Sequence, residues 1–171
     1  MPMSEFIKNL RSKVGSDLLL LPSATIIHFD SQNRMLLLKH SNTQHWVAPG
    51  GAIEPHETPA NAAVREMWEE TGLYVRLTKL LGIFGGPGFV VNYANGDSAC
   101  YVMTAFECDI ISGELNDNDS EALEFAYVSQ NELAGLNLAP WAKIVLPKLF
   151  AERGKTIFQS STWTPNRISK Q

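Results

Sequence analysis

One stretch of this sequence, residues 58 to 73, fixes a helix together with both of its ends. Thr58 can cap a helix, Pro59 suits its first position, and Gly72 can end it after about fourteen residues. At about 100° per residue, the helix gathers its apolar residues on one side and places glutamates on the arc beside it. The two groups are Ala63, Val64 and Met67, and Glu66, Glu69 and Glu70. A chain with this segment must bury one helix face beside a row of carboxylates.

The three glutamates of this helix indicate a bound cation. Like charges three or four residues apart destabilise a helix by a few tenths of a kcal/mol per pair, and burial raises their pKa values. Mg²⁺ prefers oxygen ligands and is usually shared with substrate phosphates, so the pattern indicates phosphate chemistry. The alternative is a solvated acidic face paired with Arg65. That alternative leaves Glu57, the Gly50-Gly51 turn and the lack of nearby lysine unexplained.

Residues 51 to 73 resemble the Nudix box, G-x5-E-x7-R-E-U-x-E-E-x-G-U, in which U is a bulky aliphatic residue. Every fixed position of the box matches this sequence. The matching residues are Gly51, Glu57, Arg65, Glu66, Glu69, Glu70 and Gly72, with Met67 and Leu73 at the bulky positions. The resemblance continues in "HWVAPGG" and "SEALEFAYVSQNEL", so it extends over residues 20 to 150.

The resemblance implies a metal-dependent hydrolase. Such an enzyme cleaves the diphosphate bridge of a nucleoside diphosphate linked to another moiety, such as ADP-ribose or a nucleotide sugar, by attack of water at phosphorus. It also implies that Mg²⁺ or Mn²⁺ is held by Glu66, Glu69 and Glu70, with Gly51 and Glu57 as further ligands. Arg65, Glu66 and Glu70 are the expected catalytic residues.

The general base is open at this stage. Glu66 is the first choice, because the family uses either a box glutamate or an acidic residue of a later loop. Glu121 and Glu124, in "DSEALEF", are the loop candidates. A solvated loop charge is the alternative reading of both.

Substrate choice depends on residues outside the box. A nucleobase needs an aromatic plane to stack on, and we predict that Phe89 or Tyr93 supplies it, at the end of the glycine-rich segment "GIFGGPGF" or in the hairpin after it. An aromatic residue in a strand is also a common core residue. His45 and His56 flank the box and remain unassigned. A hydrolase of oxidised nucleoside triphosphates and a non-catalytic nucleotide sensor are the alternative functions.

The rest of the chain predicts an α/β fold of the Nudix type, an α/β/α sandwich with a mixed sheet. The Asn95-Gly96 pair predicts a tight hairpin, and the turn "DSQNR" predicts another. Further elements are strands near residues 24–29, 34–40, 75–84 and 124–128, an amphipathic helix at 3–14, and a helix at 140–151 that contains Pro147. We divide the chain into an amphipathic extension (1–20), a Nudix domain (21–152) and a tail (153–171).

The composition of the chain limits the kinds of molecule that it is expected to bind. The formal net charge of -4 and pI near 5.5 argue against binding of long nucleic acid, which needs a basic face. The early apolar run "LLLLP" is too short to span a bilayer, and no signal-peptide pattern precedes it. We therefore expect a cytoplasmic protein that does not insert in membranes and takes a small nucleotide substrate.

Assembly and cysteine chemistry follow from two further features. The apolar residues of segment 3–14, together with the late helix, favour a homodimer. Cys100 and Cys108 lie eight residues apart in a predicted strand, hence roughly 26 Å apart at about 3.3 Å per residue. They cannot form a disulfide while that strand is intact. No phosphate-binding P-loop, zinc H-E-x-x-H pair or serine nucleophile elbow is found in the sequence.

Overall fold

The computed structural model describes residues 4–116 and 122–164. These residues form three helices and eight strands, with short 3-10 turns at Pro87–Phe89 and Glu132–Gly135. In chain order the elements are α1 (Glu5–Val14), β1 (Leu19–Ile27), β2 (Met35–His40), β3 (Trp46–Val47), β4 (Gly50–Ala52), α2 (Pro59–Thr71), β5 (Leu73–Phe84), β6 (Val90–Asn92), β7 (Ser98–Gly113), β8 (Ala122–Val128) and α3 (Pro140–Ala151).

The strands divide between two sheets. The larger is a mixed sheet with the order β4-β1-β7-β5, and β6 adds to β7. In it β1 runs parallel to β7, whereas the other pairs are antiparallel. The smaller sheet is antiparallel, with the order β3-β2-β8. The prediction of an α/β fold with a mixed sheet is confirmed.

Both faces of the mixed sheet are covered, because alternate residues of β1 and β7 point to opposite sides. On one face Ala24 and Ile26 pack with Ala62, Ala63 and Met67 of α2. The other face joins the larger core, whose members include Ile27, Met103, Ala105, Val145, Leu146 and Leu149. Helices α2 and α3 therefore enclose the mixed sheet, as a sandwich requires.

The turn after β1 is present, but it does not join a two-stranded hairpin. The Asp30 N–H donates to the Arg34 carbonyl at 2.9 Å, and the Leu36 N–H donates to the His28 carbonyl at 3.0 Å. Beyond the turn, β1 and β2 enter different sheets. The reason is that β1 is buried on both faces over Ala24–Ile27, so it occupies the interior of the mixed sheet between β4 and β7.

The second predicted hairpin, around Gly96, is confirmed. The Tyr93 N–H donates to the Asp97 carbonyl at 2.9 Å, and the Gly96 N–H donates to the Tyr93 carbonyl at 3.0 Å. Gly96 has a φ of 89°, a conformation that glycine adopts at little cost. This turn places Tyr93 of the loop opposite β7.

Helix α1 begins at the cap residue Ser4, whose hydroxyl accepts from the Ile7 N–H, and ends at Gly15. Arg11 fastens it to the hairpin: one Nη donates to the Asp17 carbonyl at 2.6 Å, and the other donates to the Ser98 carbonyl at 2.7 Å. Strand β1 begins at Leu19, inside the segment assigned to the extension.

The late helix and the cysteines lie where the sequence places them. Helix α3 spans residues 140–151 and contains Pro147. Both cysteines lie in β7 and neither forms a disulfide. Within residues 4–116 and 122–164, no helix is long and apolar enough to cross a membrane.

Candidate active site

Helix α2 has the ends that the sequence predicts. The Thr58 hydroxyl accepts from the Asn61 N–H at 3.1 Å, and Pro59 is the first helical residue. Gly72 ends the helix with a φ of 70°, and its N–H donates to the Trp68 carbonyl. Because both ends are fixed, the angular positions of the glutamates along α2 are fixed too.

Two of the three helical glutamates are buried. Glu66 has no solvent-exposed surface and Glu70 is 6% exposed, next to the apolar residues of the same helix. Glu69 keeps about a third of its side chain in solvent, at 32%. The predicted row of carboxylates is therefore a partly buried cluster, which is costly for ionised groups without partners.

Arg65 supplies most of the partners. Its Nη1 donates to Glu66 Oε1 at 2.8 Å and to Glu69 Oε2 at 2.9 Å. Its Nε and Nη2 donate to the two oxygens of Glu57, at 2.9 Å and 2.8 Å, and Nη2 also donates to the Ala52 carbonyl at 3.1 Å. Five charge-assisted or backbone bonds thus hold one guanidinium in a single orientation.

Glu57 is bound at both oxygens. Besides its two bonds from Arg65, Glu57 Oε2 accepts from the Glu54 N–H at 3.2 Å. The hydrogen bonds from Arg65 lower the pKa of Glu57, so this carboxylate stays ionised. The contacts favour an orienting role for Glu57, through Arg65. Its assignment as a metal ligand stays a prediction.

Glu66 is the most perturbed group of the cluster. Burial raises its pKa to about 7, and the Arg65 guanidinium opposes the rise. Its Oε2 is buried without a hydrogen bond to the described residues. Oε1 is bound by Arg65, so Oε2 is the atom left for a proton or a cation.

Gly51 makes room for this carboxylate. A β-carbon built on Gly51 would lie 2.5 Å from Glu66 Oε1 and 2.6 Å from Glu66 Cδ. Strand β4 pairs with β1 in the register Ala24 to Gly51 and Thr25 to Gly50. The glycine is required here because the strand and the buried carboxylate approach too closely for any side chain.

Glu70 fastens the same strand from the next turn of the helix. Its Oε2 accepts from the Gly50 N–H at 2.8 Å. Glu66 and Glu70 therefore lie against Gly51 and Gly50, respectively. The box brings Gly51, Arg65, Glu66, Glu69 and Glu70 together at one edge of the mixed sheet, where β4 is the outer strand.

The donor set suits a hard divalent cation. It consists of carboxylate oxygens and a backbone carbonyl, which are the ligands that Mg²⁺ and Mn²⁺ prefer. The unpartnered Oε2 of Glu66 and the space at Gly51 are consistent with such an ion. Over the described ranges, no three acidic, histidine or cysteine side chains already converge as a metal cluster. Arg65 accounts for this, since it binds the oxygens of Glu66 and Glu69 itself.

The loop candidates for the general base are not brought to the cluster by any contact among the described residues. Glu124 lies on β8 of the smaller sheet, opposite Lys39. Glu121 lies outside the described residues. Of the two candidates for this role that the structure describes, Glu66 and Glu124, Glu66 lies within the carboxylate cluster.

The two aromatic candidates have different environments. Phe89 is 6% exposed and belongs to the larger core, so its ring has a packing role. Tyr93 is 45% exposed, and its hydroxyl lies 2.7 Å from the hydroxyl of Tyr101. Tyr101 was not singled out from the sequence, because nothing in a strand of alternating residues marks which side faces a site.

Two surface cavities have linings that do not include the helical glutamates. One, of about 450 Å³, is formed by β5, β7 and residues 159–163. The other, of about 370 Å³, lies between α1, β1 and the segment Ala52–Pro55. Neither cavity is lined by Glu66, Glu69 or Glu70, so the chemistry of the cluster, rather than cavity size, locates the site.

Known proteins resemble this chain over most of its length. The sequence model of the NUDIX domain family matches residues 19–149. The chain is 29% identical over 136 residues to the uncharacterized Nudix hydrolase YvcI of Bacillus subtilis, covering 79% of this chain and 82% of that protein. It is 34% identical over 111 residues to the ADP-ribose pyrophosphatase of Methanocaldococcus jannaschii, covering 63% of this chain and 61% of that protein.

Solved structures show the same fold. The MutT protein from Methanosarcina mazei superimposes with a TM-score of 0.62 at 19% identity, covering 81% of this chain and 99% of that chain. An ADP-ribose pyrophosphatase from Streptococcus suis gives a TM-score of 0.60 at 21% identity, covering 79% of this chain and 93% of that chain.

Proposed function

The chain belongs to the Nudix family of hydrolases, which act on pyrophosphate bonds, and we propose that it cleaves the diphosphate bridge of a nucleoside diphosphate derivative. ADP-ribose and nucleotide sugars are the substrates we favour. The observation that supports this proposal is the buried Glu66, held against Gly51 by Arg65 with one oxygen left without a partner among the described residues.

The residues of the site have separate tasks. Arg65 fixes the carboxylates of Glu66 and Glu69 in place, and Glu57 fixes Arg65. Glu70 holds Gly50, so that the adjoining Gly51 carbonyl keeps its position at the edge of β4. Carboxylates that are held in place in advance lose little freedom when a cation binds, which favours binding of that cation.

Mg²⁺ or Mn²⁺ is the cofactor we propose, as Nudix hydrolases generally use divalent metals. Glu66, Glu69, Glu70 and the Gly51 carbonyl would hold it. When bound, a divalent cation neutralises charge on the diphosphate and lowers the pKa of water.

Proton transfer is assigned to Glu66. Among the candidates that the structure describes, Glu66 is the one that lies within the carboxylate cluster, which suits a group that takes a proton from water. Water attacks one phosphorus, its proton passes to the Glu66 carboxylate, and the bridging oxygen leaves with the other phosphoryl group. The products are two phosphorylated halves.

The named relatives support the preference for a nucleoside diphosphate derivative. A curated relative at 34% identity is an ADP-ribose pyrophosphatase. The structural neighbours include a MutT protein and an ADP-ribose pyrophosphatase, but their low identity bears on the fold alone. A hydrolase of oxidised triphosphates is the second candidate, because the box residues act on the phosphates and a different pocket beside the same box would select a different substrate.

A phosphate-release screen tests the proposal. Purified protein with Mg²⁺ or Mn²⁺ is offered ADP-ribose, sugar nucleotides, dinucleoside polyphosphates, and unmodified and oxidised triphosphates, with Glu70→Gln as the matched variant. We expect turnover of a diphosphate derivative that falls by orders of magnitude in the variant. A clear preference for oxidised purine triphosphates would show that the substrate is a triphosphate and not a nucleoside diphosphate derivative. Nucleotide binding without any cleavage would instead indicate the non-catalytic sensor.

A further inference from the structure

Strand β1 contains two buried hydroxyl side chains that the fold does not use. Ser23 is 7% exposed and Thr25 is 5% exposed, on a strand whose neighbouring residues are apolar. Neither hydroxyl forms a hydrogen bond with the described residues, although the strand itself pairs with a neighbour on each side. A hydroxyl without a partner in the protein must form its hydrogen bonds with solvent or with a ligand.

Both hydroxyl oxygens keep some contact with solvent. Within residues 4–116 and 122–164, the buried side-chain nitrogen and oxygen atoms that are closed off from solvent without a hydrogen bond are Arg11 Nε and Glu66 Oε2. The oxygens of Ser23 and Thr25 are not among them, so each keeps access to solvent. A ligand that reaches these oxygens can form hydrogen bonds with them.

Both residues lie near the box glycines. Ser23 pairs with Ala52, and Thr25 pairs with Gly50, whose N–H is bound by Glu70. A β-carbon on Gly50 would lie 3.0 Å from the Thr25 hydroxyl oxygen. Ser23 and Thr25, termed the hydroxyl pair below, lie one strand away from the box glycines, on the sheet face opposite α2.

The same face continues onto β7. The parallel register sets Leu21 beside Tyr101 and Ser23 beside Met103, and paired residues point to the same side of a sheet. Tyr101 shares its hydroxyl contact with Tyr93 at 2.7 Å. Burial, then the nearby Tyr93 and also the Glu66 charge, raise the pKa of Tyr101, which places its phenol in electrostatic range of the cluster.

We propose that the hydroxyl pair binds sugar hydroxyls of the substrate immediately next to the diphosphate. A serine or threonine hydroxyl both donates and accepts, and a sugar hydroxyl does the same. Strand β4 is the edge of the sheet, so a substrate with its diphosphate at Gly50 and Gly51 can lay the adjoining sugar over this face. The inference rests on the proposed function.

Binding of the two halves of ADP-ribose tests it. AMP, ribose 5-phosphate and inorganic phosphate are titrated calorimetrically, with Mg²⁺ present, into wild type, Ser23→Ala and Thr25→Val. Thr104→Val is the matched control, because Thr104 lies on the neighbouring strand beside Ala24 and points to the opposite face. Thermal unfolding of every variant shows whether the fold is kept.

We expect the dissociation constant of one half to rise roughly three- to tenfold in each variant, the amount that one neutral hydrogen bond contributes. Inorganic phosphate should bind unchanged, and Thr104→Val should match wild type. Weakened AMP binding assigns the pair to the nucleoside ribose, and weakened ribose 5-phosphate binding assigns it to the terminal sugar.

Two results would overturn the inference. One is that wild type binds neither half more tightly than phosphate, and the other is that both variants bind both halves as wild type does. Because the titration needs no turnover, it stays informative if the phosphate-release screen fails. Conversely, the wild-type protein could cleave a diphosphate derivative while the variants bind both halves as wild type does. That result would support the proposed function and show that the hydroxyl pair does not bind the substrate.

Discussion

The Arg65 guanidinium donates hydrogen bonds to both carboxylate oxygens of Glu57, at 2.9 Å from Nε and 2.8 Å from Nη2. The remaining nitrogen, Nη1, binds Glu66 and Glu69. The residue eight positions earlier therefore orients the arginine that in turn orients the buried carboxylates. This chain of contacts gives Glu57 a positioning task that does not require contact with substrate.

Glu57→Gln should lower kcat/KM roughly 10- to 100-fold, the usual effect of losing a group that orients a metal-binding residue. The amide replaces one acceptor by a donor, so the bidentate pair with Arg65 is lost. Glu54→Gln is the control, because the Glu54 backbone N–H rather than its carboxylate contacts Glu57. Equal activity of both variants in a steady-state assay would contradict the positioning role.

Gly51→Ala should abolish most activity and destabilise the protein by about 1–3 kcal/mol, as overpacking of a filled site does. The new methyl would meet the Glu66 carboxylate at 2.5 Å, and that carboxylate is buried and bound to Arg65. Gly135→Ala provides the comparison, since a β-carbon added there would meet nothing within 4 Å among the described residues. Chemical denaturation and hydrolysis are measured for both, and a Gly51→Ala protein with wild-type values would refute the close approach.

Metal-free protein should lose stability as pH rises from about 4.5 to about 7. Burial raises the pKa of Glu66 from 4.5 to about 7 in the folded state, so the folded protein binds the proton more tightly than the unfolded chain. Stability from this group is full below the unfolded value and is lost as pH approaches the folded value. Urea unfolding across this range in EDTA measures the slope. Glu66→Gln should flatten it, and an identical slope in the variant would assign the effect to other groups.

Alanine at Phe89 should affect the stability of the protein, whereas alanine at Tyr93 should affect substrate binding. Phe89 is a core residue, so Phe89→Ala should lower the free energy of unfolding by about 3–5 kcal/mol. Tyr93 is exposed, so Tyr93→Ala should raise KM, with about 1–3 kcal/mol lost if a base stacks on it, and leave kcat nearly unchanged. Tyr93→Phe keeps the ring and should restore KM. If KM rose in Phe89→Ala and stayed unchanged in Tyr93→Ala, base stacking would be assigned to Phe89 instead of Tyr93.

Light scattering at micromolar concentration should give twice the chain mass of 18.9 kDa. The prediction of a homodimer is based on the apolar residues of α1, of which Phe6 is 47% exposed and Val14 is 36% exposed. Exposed apolar surface of this kind favours association. A mass near that of one chain would refute it.

The sequence by itself determined helix α2. Thr58, Pro59 and Gly72 set its ends because caps and breakers act through local backbone geometry, and the spacing of the glutamates follows from the helical repeat. The tight turn at Gly96 was readable for the same reason. Charge density alone also indicated a cation, since neighbouring carboxylates repel wherever the helix lies.

Only the tertiary structure decided which contacts each side chain of the candidate site makes. Whether Glu57 binds Arg65, whether Glu66 loses all contact with solvent, and which oxygen stays unpaired depend on how β4 lies against α2. The separation of β1 and β2 into two sheets, the burial of Phe89 and the hydroxyls of Ser23 and Thr25 depend likewise on long-range strand pairing. Such pairing is set by the burial of both sheet faces together, and no local pattern in the chain encodes it.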